Sequence, residues 1–547
     1  MKMKRILNGS GLALLVVGAL AGCQSPSPRE ESPPVAAAQP KGKAQTYYFF
    51  DWNDVENGRV IPIYDASRLT EEAKTNFAQM EKDWNVKTRL GKHGTRQYHV
   101  SHGIRIEIEP CKKTQRFIVS DQPWEDEFSG GNVILDKGKF RCWYAATMPK
   151  QHVGLVFLEE GRGMETNGTS TCYAESTDGI HWTKPSLGLL PYNGSLSNNI
   201  ISAMWIDSPF LDEHGKPEER YKASTFEELP AEDVPKGAGP FLKYGLYGLV
   251  SPDGYKWTKL PKPIIKHFAD TWNIAGWDPV LKKYVFYVRG HTGGRSITRA
   301  ETDDFHNWPM PTTVFCLGPE ERPGQDYYSS GYTTYPGVPS MRLMFPGIYH
   351  LYDSTIDSRL AISRDSYGWN WVSHDAIIPL GAEKEWDCGM VFGQPNLLKL
   401  PDGRLALPYN GYQHGHETDF STAYRDWPKQ ESGMAWATWD DGRLAGIQAD
   451  KVGDFYAATP ANANDLSAIQ INARGGRIEV ELVVKDDVLP GFSFADCIPI
   501  TGDRLWETVR WKGKTDYSEL RGKKPQIHFR LTRAKIFAYR TFGNAGK

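Results

Sequence analysis

Four acids, Glu125, Asp126, Asp270 and Asp387, stand a short way upstream of apolar-aromatic runs in this chain of 547 residues. Paired carboxyl groups suit the cleavage of an acetal. One, protonated, assists the departing oxygen, and the other, ionised, activates water or attacks the sugar carbon. Glu125 or Asp126 together with Asp270 or Asp387 would supply such a pair. Trp124, Asn199, Asn273, Arg289 and His414 are the candidate substrate-binding residues. An indole face stacks on a sugar ring, an amide hydrogen-bonds its hydroxyls, and a guanidinium grips a carboxylate or sulfate through two parallel bonds. His291, His350 and His416 are further candidates for a proton donor or a lining role. The His414-Gly415-His416 triplet is too sparse for a metal centre, so no metal or cofactor is expected, with a structural calcium left open.

The elements that must position these groups repeat. Apolar-aromatic runs begin at Lys139, Glu219, Lys283, Met341 and Gly403, and each is followed by a turn phrase of the form Ser/Thr-x-Asp-(Gly)-x-x-Trp. The phrase reads Ser176 to Trp182, Ser251 to Trp257, Thr302 to Trp308 and Ser363 to Trp369, with a degenerate copy at Thr438 to Gly442. Asp and Ser hydrogen-bond the backbone of a tight turn, Gly supplies positive φ, and Trp packs back on neighbouring strands. Five paired recurrences in the same order predict five β units, and hence an all-β fold: a five-bladed β-propeller over residues 115–462. Inner strands of a propeller line its axis, which is why acids just before them are the catalytic candidates. The entrances read Glu125 and Asp126, Asn198 and Asn199, Asp270 and Asn273, Asp326, and Glu385 with Asp387. Beyond about residue 463 the pattern becomes strict alternation at Ile478, Val480, Leu482 and Val484, and again at Ile527, Phe529 and Leu531, with Ile536 to Tyr539 as a closing strand. Residues 463–547 are therefore expected to form a C-terminal β-sandwich.

The N-terminus carries Lys2, Lys4 and Arg5, an apolar stretch from Leu12 to Leu20, and Leu20-Ala21-Gly22-Cys23. This resembles a bacterial lipoprotein signal, which implies residues 1–22 as a signal peptide and lipidation at Cys23. Residues 23–45, rich in Pro, Ser and Ala at their start, would be a flexible tether, and 46–114 a segment leading into the propeller. The expected location is the bacterial cell envelope, with the membrane reached through the lipid anchor. A formal net charge of −2 offers nothing for nucleic acid to bind, so the expected partner is carbohydrate. The six cysteines after Cys23 form no CxxC pair, which argues against a zinc ribbon or thioredoxin motif.

A five-bladed propeller followed by a β-sandwich resembles the architecture of glycoside hydrolase families 32 and 43. Asp121-Gln122-Pro123-Trp124-Glu125, Trp182 to Leu189 with Asn198-Asn199, Trp277-Asp278-Pro279 with Tyr284 and Arg289, and Trp386 to Met390 resemble a family 32-like group from polysaccharide-degrading bacteria. The resemblance implies a glycoside hydrolase fold. Family 32's own catalytic motifs are absent in register, and Asp51-Trp52-Asn53-Asp54 lacks the Pro and precedes the first unit, so no catalytic role is transferred. The leading expectation is a glycoside hydrolase acting outside the cytoplasm. The rivals are a noncatalytic glycan-binding lipoprotein and a propeller polysaccharide lyase, which would need a His or Tyr base beside a uronate-neutralising Arg.

Overall fold

A computed structural model describes residues 42–543, apart from 57–58, 64–94 other than 71, 75 and 79, 149–167, 235, 238, 417–430, 461, 485–486 and 515. Cys23, the signal segment and most of the tether lie outside the described residues. The fold is all-β. Three four-stranded antiparallel sheets follow one another: Glu127–Asp136, Lys139–Thr147, Thr169–Ser176 and Ile200–Ser202; then Asp207–Leu211, Tyr221–Glu228, Tyr244–Ser251 and Thr258–Ile265; then Ile274–Asp278, Lys283–His291, Arg295–Thr302 and Thr312–Phe315. An eleven-stranded sheet comes next, but a single parallel bridge, Ile356 to Met390, joins its two antiparallel halves. One half runs from Gln325–Tyr327 to Asn370–Ile378, and the other contains Met390–Gly393, Leu405–Tyr412 and Ser432–Trp439. The chain thus lays down five antiparallel groups in order. Each apolar-aromatic run of the sequence lies in, or runs into, the second strand of its group, because that strand is covered on both faces.

The fifth group takes its last strand from far upstream. Lys112–Lys113 pairs with Thr438 and Ala437, outside the two strands that precede it.

The turn phrase recurs as one geometry. Ser176 Oγ accepts from the backbone N–H groups of Asp178 and Gly179 at 3.2 and 2.9 Å, and Asp178 Oδ1 accepts from those of Ile180 and His181 at 2.8 Å. Trp182 Nε1 then donates to the Gly179 carbonyl at 3.1 Å. Ser251, Asp253 and Trp257 repeat these bonds, and Ser363 with Asp365 repeats the first part, Ser366 adopting the left-handed φ of 78° where the first two copies have Gly179 and Gly254. Each turn docks on the group before it. Trp143 Nε1 of the first group donates to the Gly254 carbonyl of the second group's turn at 2.7 Å, and Tyr287 of the third bonds Ser366 of the fourth. Phe305, in the third group's turn, packs edge-on against Phe210 of the second. The first group's turn meets the fifth group, whose Trp436 Nε1 donates to the Gly179 carbonyl at 2.8 Å.

The remaining sheet has seven strands, centred on Ala468–Val484, Gln526–Gly543 and Ala445–Tyr456, and it draws Lys43–Tyr48 and Arg105–Ile108 from the N-terminal part of the chain. The alternations read at Ile527 and at Ile536 belong to one continuous strand rather than two. The alternation of buried Ile527, Phe529 and Leu531 gives way beyond Arg533, at φ 48°, to a stretch from Ala534 to Tyr539 that is buried on both faces, with Phe537 as the extra residue in the pairing with Ala468–Val484. That change of pattern imitates a strand break in the sequence.

On this sheet the His528 ring stacks on Tyr456 at 3.8 Å, with Nδ1 2.8 Å from Glu481 and Nε2 3.5 Å from Asp454. Burial alone would lower its pKa, but the two carboxylates outweigh burial and raise it. A raised histidine pKa contributes stability that is full below the unfolded value of about 6.5 and is lost as pH rises through the folded value. His528→Gln should therefore depress the melting temperature most at pH 5.5, with the gap to the wild type narrowing toward pH 9. A gap constant across that range would contradict the ion-paired histidine.

Candidate functional site

In every antiparallel group the start of the first strand and the end of the second lie at the same edge. That edge carries Asp126 and Glu127, Asp270 to Asn273, Arg289 to His291, Asp326 to Tyr328, Asp387, and Tyr412 to His416. Two openings lie there. One, about 370 Å³, is lined by Arg116, Asp126, Glu127 and Glu431 among others. The second, about 470 Å³, is lined by Phe268, Asp270, Arg289, His291, Arg295 and Asp326, with the Gly294 backbone.

A row of polar contacts spans them. His414 Nε2 lies 3.7 Å from Glu127 Oε1, and two residues on, His416 Nε2 hydrogen-bonds the Tyr328 hydroxyl at 2.8 Å. The Arg289 guanidinium sits 4.4 Å over the Tyr328 ring and donates to Asp270 Oδ1 at 2.6 Å. Beneath the row is a buried aromatic floor. Trp272 meets Phe392 at 4.7 Å, and Phe392 meets Tyr328 at 5.4 Å and Tyr412 at 5.9 Å. Such a floor fixes the rotamers of the polar side chains above it. Burial, and then the Arg289 charge, hold the His291 pKa below its ordinary value, so at neutral pH it serves the second opening as an uncharged imidazole.

The expected site residues divide sharply. Asp126 is exposed in the first opening, and Asp270, with a side chain 44% exposed, stands in the second beside Arg289. His414 lies in the row between them. Glu125 is placed otherwise. Its side chain is fully buried, Oε1 accepts from Tyr144 at 2.5 Å and Oε2 from Lys184 at 2.7 Å and from the Asp121 backbone, so its oxygens are already committed. Asp387 is likewise 1% exposed and bonded to Lys113 at 2.6 Å and Tyr409 at 2.9 Å; it anchors the borrowed strand instead of facing substrate. Asn199 is fully buried, donating to Tyr144 and the Tyr173 carbonyl and accepting from Trp124 Nε1, which occupies the polar end of Trp124 as well. Asn273 turns its amide N–H groups onto the carbonyls of Ala269 and Thr271. Its backbone N–H goes to Asp207, a carboxyl whose pKa burial raises to about 7. Glu125, Asp387 and Asn199 thus spend their polar atoms inside the fold, as buried polar groups do, whereas Asn273 places only its amide nitrogen there and leaves Oδ1 without a partner.

Glu127, Tyr328 and Arg295 were not singled out from sequence. Glu127 is the first residue of the strand Glu127–Asp136, two beyond the acid expected to act, and the signal for it was the adjacent acidic pair at the strand's start. Among the described residues no group of three or more His, Cys, Asp or Glu side chains is placed to hold a metal ion.

No protein family's sequence profile matches the chain. No curated protein sequence matches it either. Among solved structures it is similar to a glycoside hydrolase, with 14% identity and a TM-score of 0.40 over 68% of this chain and 96% of that one. It is also similar to a thermostable family-43 glycoside hydrolase, at 11% identity and TM-score 0.39 over 60% and 94% of the two chains. A variant fructofuranosidase from Schwanniomyces occidentalis complexed with fructosylnystose is 10% identical, with TM-score 0.35 over 80% and 97%. These are distant likenesses, and what the site does is argued below from its own side chains.

Proposed function

We propose that the protein is a glycoside hydrolase of poly- or oligosaccharide, built as a five-bladed β-propeller with a C-terminal β-sandwich. The ring reading is supported by the turns that dock group to group and return from the first to the fifth. One observation carries the chemistry: carboxyl groups from separate groups, Glu127 and Asp270, line openings at the same edge over a shared aromatic floor. In this reading Glu127 is the acid that protonates the departing glycosidic oxygen. Asp270, held by Arg289, is the base that takes a proton from water as the water oxygen bonds to the anomeric carbon. Asp126 is the neighbouring acid that binds hydroxyls, while Asp326 holds Arg295 at the wall of the second opening.

A specific contact favours a second reading. Tyr328, hydrogen-bonded to His416 and lying under Arg289, provides a base beside a guanidinium, which is what elimination from a uronate requires. Incubating the purified protein with a panel of neutral and acidic polysaccharides separates the alternatives. Hydrolysis yields new reducing ends without ultraviolet absorbance, elimination yields both, and a binding protein yields neither while retaining the glycan.

Lipid anchoring at Cys23 is part of the same proposal, supported by Leu20-Ala21-Gly22-Cys23. Cys23→Ser should move the protein from the membrane pellet to the soluble fraction, with melting temperature unchanged; continued pelleting would remove the anchor.

A further inference from the structure

We infer that Tyr352 is a stacking platform for a pyranose ring of the glycan, one or two sugar units beyond the residue held in the Asp270 opening. The inference rests on the carbohydrate reading above and adds a subsite to it. Tyr352 occupies the tip of the turn between Gly347–His350 and Thr355–Ser363, at the same edge as both openings, and is 86% exposed. The other strongly exposed rings among the described residues are engaged or elsewhere. Tyr367 is covered by the Arg299 guanidinium at 4.1 Å and bonded to Glu301, while Trp52 adjoins Asp51, which pairs with Arg364 at the opposite edge.

Exposure alone would not make a platform; a seat beside the opening does. The Leu351 backbone N–H donates to the Gly324 carbonyl at 2.9 Å, tying the turn to the strand that carries Asp326. The tyrosine ring lies against Gly324 so closely that a Cβ there would meet Cε2 at 2.3 Å, and φ of +83° is glycine's region as well. The ring therefore rests against Gly324 along its Cδ2–Cε2–Cζ edge and is otherwise open. Gly324 immediately precedes the strand Gln325–Tyr327, so Asp326 lies two residues along the chain from it. Asp326 lines the opening and accepts from the Arg295 backbone at 2.7 Å. A sugar bound between Asp270 and Asp326 would thus send its chain across Tyr352. The apolar C–H face of a pyranose suits an open phenol ring seated at the edge of the opening.

The test uses the Asp270→Asn protein, so that bound glycan is not consumed, in native gels containing each polysaccharide and by calorimetry with size-defined oligosaccharides. Tyr352→Ala in that background should weaken binding of chains of four or more units by about five- to tenfold. Binding of a mono- or disaccharide should be unchanged, and Tyr352→Phe should restore the loss. In the active protein Tyr352→Ala should raise KM for polymer and leave kcat on a minimal substrate alone. Unaltered long-chain binding by Tyr352→Ala, with cleavage intact, overturns the platform and leaves the hydrolase. Weakened binding without any cleavage by the parent protein upholds the platform and overturns the hydrolase. Failure to bind any glycan of the panel overturns both.

Discussion

Replacing Glu127 by Gln or Asp270 by Asn should lower kcat/KM on the cleaved glycan by about 10²–10⁴-fold, the range that a positioned acid or base contributes. The two variants should differ in stability. Glu127 has a side chain 41% exposed, and its amide should leave the melting temperature where it was. Asp270→Asn should lower it slightly, because Arg289, only 4% exposed, keeps an oxygen acceptor but loses its counter-charge. Glu125→Gln and Asp387→Asn should show the reverse pattern, with a large loss of stability and near-normal turnover in whatever fraction remains folded. If Glu127→Gln and Asp270→Asn both retain full activity, the hydrolytic assignment fails and the Tyr328–His416 pair becomes the place to look.

The largest stability effect should come from the third and fourth groups. Arg342 donates to both oxygens of Asp278 at 2.5 and 2.9 Å, and the two side chains are 1% and 0% exposed. Asp278 also accepts from the backbone N–H groups of Val280 and Leu281, and Arg342 donates to the Arg364 carbonyl. Asp278→Ala leaves a buried guanidinium without its partner and should cost about 3–5 kcal/mol, measured by chemical denaturation. Adding Arg342→Met should recover part of that loss, since an apolar side chain in the same space leaves no stranded charge. A double variant as unstable as the sum of the singles would show that the pair's geometry, rather than the stranded charge, is what matters.

These contrasts explain what was legible in the sequence. The second strands and the turns could be read, because their signals are local: an apolar run, then Ser, Asp and Trp at fixed spacing, each side chain bonded within its own turn. Partnership across the chain was not legible. Glu125 and Asp126 are adjacent acids of equal promise on paper, yet Lys184 and Tyr144 claim one and nothing of the kind reaches the other among the described residues. The partners of Asp387 were hidden for the same reason, its lysine lying in the short strand Lys112–Lys113, which has no pattern to recognise. Glu127 and Tyr328 became visible only when strand ends from separate groups met.

That borrowed strand governs when the protein can finish folding. Lys112–Lys113 leaves the ribosome early but has no partner until Ser432–Trp439 follows, and Lys43–Tyr48 must wait for Gln526–Gly543, the last described strand. The earliest segments therefore pass through synthesis with open edges, and closing loops of that length makes folding slow and late. A chain still being made is kept from completing its native contacts. Any nascent product cut short before residue 526 would carry an unpaired N-terminal strand, open to association with its neighbours.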